Sequence, residues 1–134
     1  MIDGFSGVII WTDNIERLKL FYIDKLGLEP HSVHEDFVAF SFGEVRLSIG
    51  VHSSVNGRNQ DPCRLMINLD TNDAWKAYKE IKKKGVGFLA LPEVQHWGGT
   101  VATFEDPDGN ILQLMEQPKL DDKNGDVNME KAGV

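Results

Sequence analysis

Residues 7 to 27 and residues 66 to 85 follow one plan in different letters, and that repetition limits the fold more than any single motif. The first copy opens on Gly7-Val8-Ile9-Ile10-Trp11, a short run of β-branched and aromatic side chains that suit a pleated surface. Thr12-Asp13-Asn14 comes next, and such side chains accept hydrogen bonds from the free amides of a helix's first turn. Residues 15 to 26 (IERLKLFYIDKL) place apolar side chains at 15, 18, 21, 22 and 26, which predicts a helix. Gly27 stands where a left-handed residue closes one. The second copy runs Met66 to Asp70 (MINLD) as strand, Thr71-Asn72-Asp73 as cap and residues 74 to 84 (AWKAYKEIKKK) as helix. Trp75, Tyr78 and Ile81 share a stripe there, and Gly85 is the stop. The caps lie 59 positions apart and the closing glycines 58, so the copies keep step.

The segments after the two helices also match. Residues 37 to 42 (FVAFSF), a turn at Gly43-Glu44 and residues 45 to 49 (VRLSI) read as a hairpin. Residues 100 to 105 (TVATFE), the turn Asp106-Pro107-Asp108-Gly109-Asn110 and residues 111 to 115 (ILQLM) read as another. In that turn proline fixes φ, glycine supplies a positive φ, and the Asp and Asn side chains can bond their own backbone. Each half is therefore strand, helix, then two or three strands. A period above 50 residues, present twice, is an internal duplication rather than a solenoid. The expectation is one α+β domain over residues 1–120, with units at about 5–51 and 63–117. The polar, turn-rich stretch 52–62 (HSSVNGRNQDP) reads as their linker, and 121–134 as a loose tail without periodicity.

Composition narrows the function classes. The net charge of −7, with Lys and Arg interspersed, argues against a nucleic-acid partner. The run Lys82-Lys83-Lys84 sits at a predicted helix end, where the helix dipole favours cations, and needs no phosphate to explain it. No stretch of 18 apolar residues predicts a membrane span, and no leader is recognisable. The single cysteine, Cys63, allows no internal disulfide, fits a reducing cytoplasm and reads as a small hydrophobe near a strand start.

The chain resembles the vicinal-oxygen-chelate superfamily, which includes glyoxalase I, bleomycin resistance proteins and extradiol dioxygenases. Three stretches carry the likeness: the first strand and cap running into Phe21-Tyr22 and Leu26-Gly27-Leu28, the unit from Met66 to Val86, and Trp97-Gly98 followed by FEDPDGNILQL at 104–114. Together they span residues 5 to 117. The resemblance implies two tandem βαβββ units whose mixed sheets curl around a cup, both units contributing to one ligand site. Metal-using relatives place ligands, often histidine and glutamate, at four strand positions. Carried over one at a time, these fall on Gly7, Ser48, Met66 and Gln113. Glycine offers no donor, a thioether is too soft, and serine and glutamine are weak neutral donors. The resemblance therefore implies a degenerate metal seat, with no metal and no cofactor.

Strand side chains alternate between faces, so Gln113 shares one with Ile111 and Met115 while Leu112 and Leu114 pack on a helix. The same alternation turns Ile9, Trp11, Arg46, Ser48, Asn68 and Asp70 toward the implied cup, with Trp97 and His96 near its mouth. Apolar walls with a few polar fixing points are the usual make-up of a small-molecule site. Each residue also has a plainer reading: Trp11 as core, Arg46 and Asp70 as charges solvated or bonded to each other, Gln113 as an amide bonded to a neighbour. Trp75 reads as core, and His31, His34 and His52 read as surface residues. Two functions stay open. One is a metal-independent protein that binds a hydrophobic or aromatic small molecule, as bleomycin resistance proteins do. The other is a glyoxalase-like lyase or isomerase acting on a small carbonyl compound, for which His96 and Asp70 are the candidate acid–base groups. The family's pairing of units between chains implies a homodimer.

Overall fold

A computed structural model of the chain describes residues 1–119, so the tail expected at 121–134 lies outside the described residues. The chain forms two compact units, one over Met1–Gln60 and one from Asp61 onward. Both have the βαβββ plan, which makes the fold α+β as the repeat predicts.

The first unit runs β1 (Gly7–Thr12), α1 (Ile15–Lys19), a π-helical continuation (Leu20–Lys25), β2 (Pro30–Val33), β3 (Phe37–Phe42) and β4 (Val45–Val51). Its sheet has the order β1-β4-β3-β2, with β1 parallel to β4 and the other pairs antiparallel. Asn14 caps α1 by accepting from the Arg17 amide at 3.2 Å. The helix predicted over 15–26 is not uniform. After Lys19 its winding widens, and the Leu26 amide reaches back five residues to the Phe21 carbonyl at 2.9 Å. The wider turn lets the adjacent Phe21 and Tyr22 both bury, their rings edge to face at 5.0 Å. Against the helix, the sheet buries Ile10, Val38, Phe40, Leu47 and Ile49. Each such side chain contributes about 1.5–3 kcal/mol of transfer free energy.

Residues 52–60 fold back on this unit. The His52 amide donates to the Thr12 carbonyl at 3.3 Å, and the Gly57 amide to Asp13 Oδ2 at 2.9 Å. The Gly57 amide, helped by Arg17, holds the Asp13 carboxyl below the usual aspartate value.

The second unit runs β5 (Met66–Asp70), α2 (Ala74–Lys83), β6 (Phe88–Val94), β7 (Thr100–Glu105) and β8 (Ile111–Glu116), in the sheet order β5-β8-β7-β6. Asp73 Oδ1 accepts from the Lys76 amide at 3.0 Å, and Glu116, at the end of β8, accepts from the Ala74 amide at 2.8 Å. The helix start is thus held by its own cap and by the last strand. In the β7–β8 turn, buried Asp106 accepts from the amides of Asp108 and Asn110 and from the Asn110 side chain, each at 2.9 Å. Gly109 takes a φ of 85°.

Two expectations need correction here. Trp75 is 48% exposed rather than core, because α2 turns Ala74, Tyr78 and Ile81 to the sheet and Trp75 lies one position round, its ring edge on Tyr78. Cys63 is exposed in a short turn at Pro62–Arg64, ahead of the strand rather than packed at its start.

Candidate functional site

The pairing register sorts the helix-free face of the first sheet into three rows across β1, β4 and β3. They are Gly7–Arg46–Ser41, Ile9–Ser48–Ala39 and Trp11–Gly50–Phe37. Trp11, in the row at one end of this face, is 38% exposed. Its ring lies 6.0 Å from Phe37 and 5.2 Å from His52, the latter nearly edge-on at 68°. Gly50 makes this possible. A Cβ there would sit 2.7 Å from Phe37 Cδ2 and 2.8 Å from Trp11 Cζ3, so both rings rest on bare backbone. His52 Nδ1 accepts from the Ser54 amide at 3.0 Å, which leaves Nε2 as the donor of the neutral ring.

Sequence alone reads His52 as a surface residue. It is exposed, but its ring packs on Trp11. The signal was present: 46, 48, 50 and 52 share one parity, and alternation carried one step past β4 puts His52 beside Trp11. Phe37 joins in the same way, once the β3–β4 register is known.

At the other end of this face Arg46 is exposed, with its NH2 3.4 Å from His31 Nε2. Among the described residues it forms no ion pair with a carboxylate. Between the ends, Ile9 is 47% exposed while Ser48 and Ala39 are small and buried.

The second sheet presents a polar helix-free face. Its rows are Met66–Ile111–Glu105, Asn68–Gln113–Thr103 and Asp70–Met115–Val101. The amide of Gln113 donates to Thr103 Oγ1 at 3.2 Å, across the β7–β8 pair. A neutral cross-strand bond is thus one reason for an amide amid apolar neighbours. Asp70 is exposed at the end of β5 and His96 in the β6–β7 loop, and no hydrogen bond or ion pair joins them. Trp97 is buried, its ring seated where a Cβ on Gly99 would collide with it. The loop closes around it through Gln95 N to Gly99 O at 2.7 Å and Gly98 N to Gln95 O at 2.9 Å. Trp97 therefore presents little ring surface, whereas Trp11 presents much.

The four positions at which metal-using relatives hold an ion do not fit one here. Gly7 lacks a side chain and cannot readily gain one: with φ at 151°, a Cβ would collide with the Arg46 carbonyl. Met66 offers a thioether, Ser48 a hydroxyl, and Gln113 an amide already engaged with Thr103. Among the described residues, no group of three or more His, Cys, Asp or Glu side chains is placed to hold a metal.

Comparisons with known proteins agree with this architecture. The family model described as the Glyoxalase/Bleomycin resistance protein/Dioxygenase superfamily matches residues 4–114. The chain is 28% identical over 123 residues to the uncharacterized protein YetH of Bacillus subtilis (strain 168), covering 87% of this chain and all of that one. It is 36% identical over 59 residues to a bleomycin resistance protein of Klebsiella pneumoniae, covering 39% of this chain and 47% of that protein. The crystal structure of a member of the glyoxalase/bleomycin resistance protein/dioxygenase superfamily from Sphaerobacter thermophilus DSM 20745 superposes with a TM-score of 0.68 at 26% identity. That match covers 87% of this chain and 98% of that one.

Proposed function

The chain belongs to the glyoxalase/bleomycin resistance protein/dioxygenase superfamily, and within it we propose a metal-independent protein that binds a hydrophobic or aromatic small molecule. The observation that carries this reading is the half-exposed Trp11 ring, laid over Gly50 beside Phe37 and His52. An exposed apolar surface with polar groups on the same face is the usual make-up of a small-molecule site. Ile9 extends the platform, while Ser48 and Arg46 supply the polar fixing points of the first sheet. On the second sheet, taken by itself, Asn68, Asp70 and Gln113 are the polar candidates of the helix-free face, and Trp97 stiffens its loop. The donors at 7, 48, 66 and 113 support the metal-independent part, since a Lewis-acid ion needs about three good nitrogen or oxygen ligands. Family membership alone leaves the chemistry open, because one fold hosts many.

A lyase or isomerase would need an acid–base pair, and no hydrogen bond or ion pair joins His96 and Asp70. The proposal includes a cytoplasmic homodimer. The exposed Leu89, Leu91 and Val94 on the edge strand β6 support an association surface.

The test is calorimetric titration with a neutral planar probe, 4-(1-naphthyl)butanamide. Binding to the wild-type chain, weakened about threefold to tenfold in Trp11→Ala, is expected from the loss of one stacking surface. A probe that binds Trp11→Ala as tightly as the wild type would remove the platform from the account.

A further inference from the structure

The helix-free face of the first sheet is chemically asymmetric along its length. On β4 the residues facing this way are Arg46, Ser48 and Gly50 in order. At about 3.3 Å per residue, roughly 13 Å of backbone separates the guanidinium end from the ring end. The row between them holds Ser48 and Ala39, two of the smaller side chains, beside Ile9 on β1, so nothing bulky on β3 or β4 blocks the span. The ring end is Trp11 and Phe37 over Gly50.

The other end is Arg46, a cation that pairs with no carboxylate among the described residues. Arg46 has only Gly7 and Ser41 as register neighbours, both small and uncharged. Its guanidinium meets His31 Nε2 at 3.4 Å. A guanidinium only donates, so His31 Nε2 accepts, and the contact steers the group while leaving its other N–H groups for a ligand. On the register rows of this face Arg46 is the charged side chain, with no carboxylate beside it among the described residues. Its planar fork of donors matches a carboxylate in shape as well as charge.

We propose that this face takes an aromatic acid, with its ring on Trp11 and Phe37 and its anionic group at Arg46, which His31 orients. The proposal rests on the small-molecule reading above and narrows it to one ligand class. It also fixes the order of groups along the ligand, with ring and acid at opposite ends.

Three probes of one length test it by calorimetry at low ionic strength: 4-(1-naphthyl)butanoate, 4-(1-naphthyl)butanamide and 4-(1-naphthyl)butylamine. The acid should bind about 1.5-fold to fivefold more tightly than the amide, as expected for one solvent-accessible ion pair, and the amine most weakly. Arg46→Gln should bring acid and amide to the same affinity, chiefly by weakening the acid. Arg46→Lys should restore part of the preference, because the charge remains and the fork is lost. Added salt should shrink the gap between acid and amide. Melting temperatures matched to the wild type show that both variants are folded, as expected for an exposed side chain.

Equal binding of acid and amide by the wild type, with both weakened in Trp11→Ala, overturns the anion end and leaves the small-molecule reading standing. An acid preference that survives in Arg46→Gln, or an amine that binds as tightly as the acid, also overturns it. Acid binding that depends on Arg46 but not on Trp11 refutes the ordered pairing of ring and anion. If neither acid nor amide binds, both readings fall together.

Discussion

Gly50→Ala is a one-carbon change whose consequence the rings dictate. The new Cβ would stand 2.7 Å from Phe37 Cδ2 and 2.8 Å from Trp11 Cζ3. Carbon atoms settle at about 3.5–4.0 Å, so each ring must retreat by roughly 1 Å. Overpacking of this kind costs about 1–3 kcal/mol. The alanine recovers about 0.4–1 kcal/mol by restricting the unfolded chain. The net loss is about 1–2 kcal/mol, or a fall in Tm of roughly 3–8 °C for a domain of this size. Phe37 is the more enclosed ring, so the half-exposed indole should be the one that swings out. Differential scanning calorimetry and tryptophan emission read both effects: a lower Tm, a shift of emission to the red, and weaker binding of the naphthyl probes. In a Trp11→Ala background the same glycine change should cost less, since one of its two collisions is gone. A Gly50→Ala chain that melts at or above the wild-type temperature with unchanged emission would refute the packing argument.

Gln113→Glu restores one carboxylate typical of metal-using relatives, yet zinc binding should stay weak because positions 7, 48 and 66 are unchanged. Stoichiometric zinc by elemental analysis of that variant would contradict the donor argument. Gly7→Ala should destabilise the first unit by more than a surface substitution does, since the Cβ meets the Arg46 carbonyl and φ is positive. An unchanged chemical-denaturation midpoint would show that β4 yields there at no cost. Acid should loosen the 52–60 segment. Asp13 has a folded pKa below its unfolded value, so its contribution is present above about pH 4 and is lost as pH falls through the folded value. Amide exchange at Gly57 should therefore accelerate in acid, and Asp13→Asn should flatten that dependence. Exchange at Gly57 that is insensitive to pH in this sense, after correction for intrinsic rates, would remove the anchor from that segment.

Local chemistry made most of the fold legible. Asn14 and Asp73 cap their helices, Gly27 and Gly85 take positive φ, and Asp106 organises its turn, each for a reason visible in a few neighbouring letters. The hidden features depend on neighbours distant in sequence. β2 is only four residues long, and β6 is interrupted by shifts in register and contains Pro92, so neither shows a clean alternation. The π-helical turn needs knowledge of what lies under Phe21 and Tyr22. The candidate site divides in the same way. Strand parity sufficed to turn Trp11, Arg46 and Ser48 toward one face, but Phe37, His52 and His31 join them only through pairing across strands. The collision awaiting any side chain at position 7 belongs to the backbone and has no signature in the letters.

The most direct test of metal-independent binding is one pair of titrations. Wild-type chain stripped with EDTA and chain supplied with equimolar zinc are each titrated with 4-(1-naphthyl)butanoate, with Trp11→Ala run alongside. The account predicts superimposable isotherms for the two wild-type samples and one about threefold to tenfold weaker for Trp11→Ala. Binding that appears only with zinc, or that is indifferent to the loss of Trp11, would contradict it.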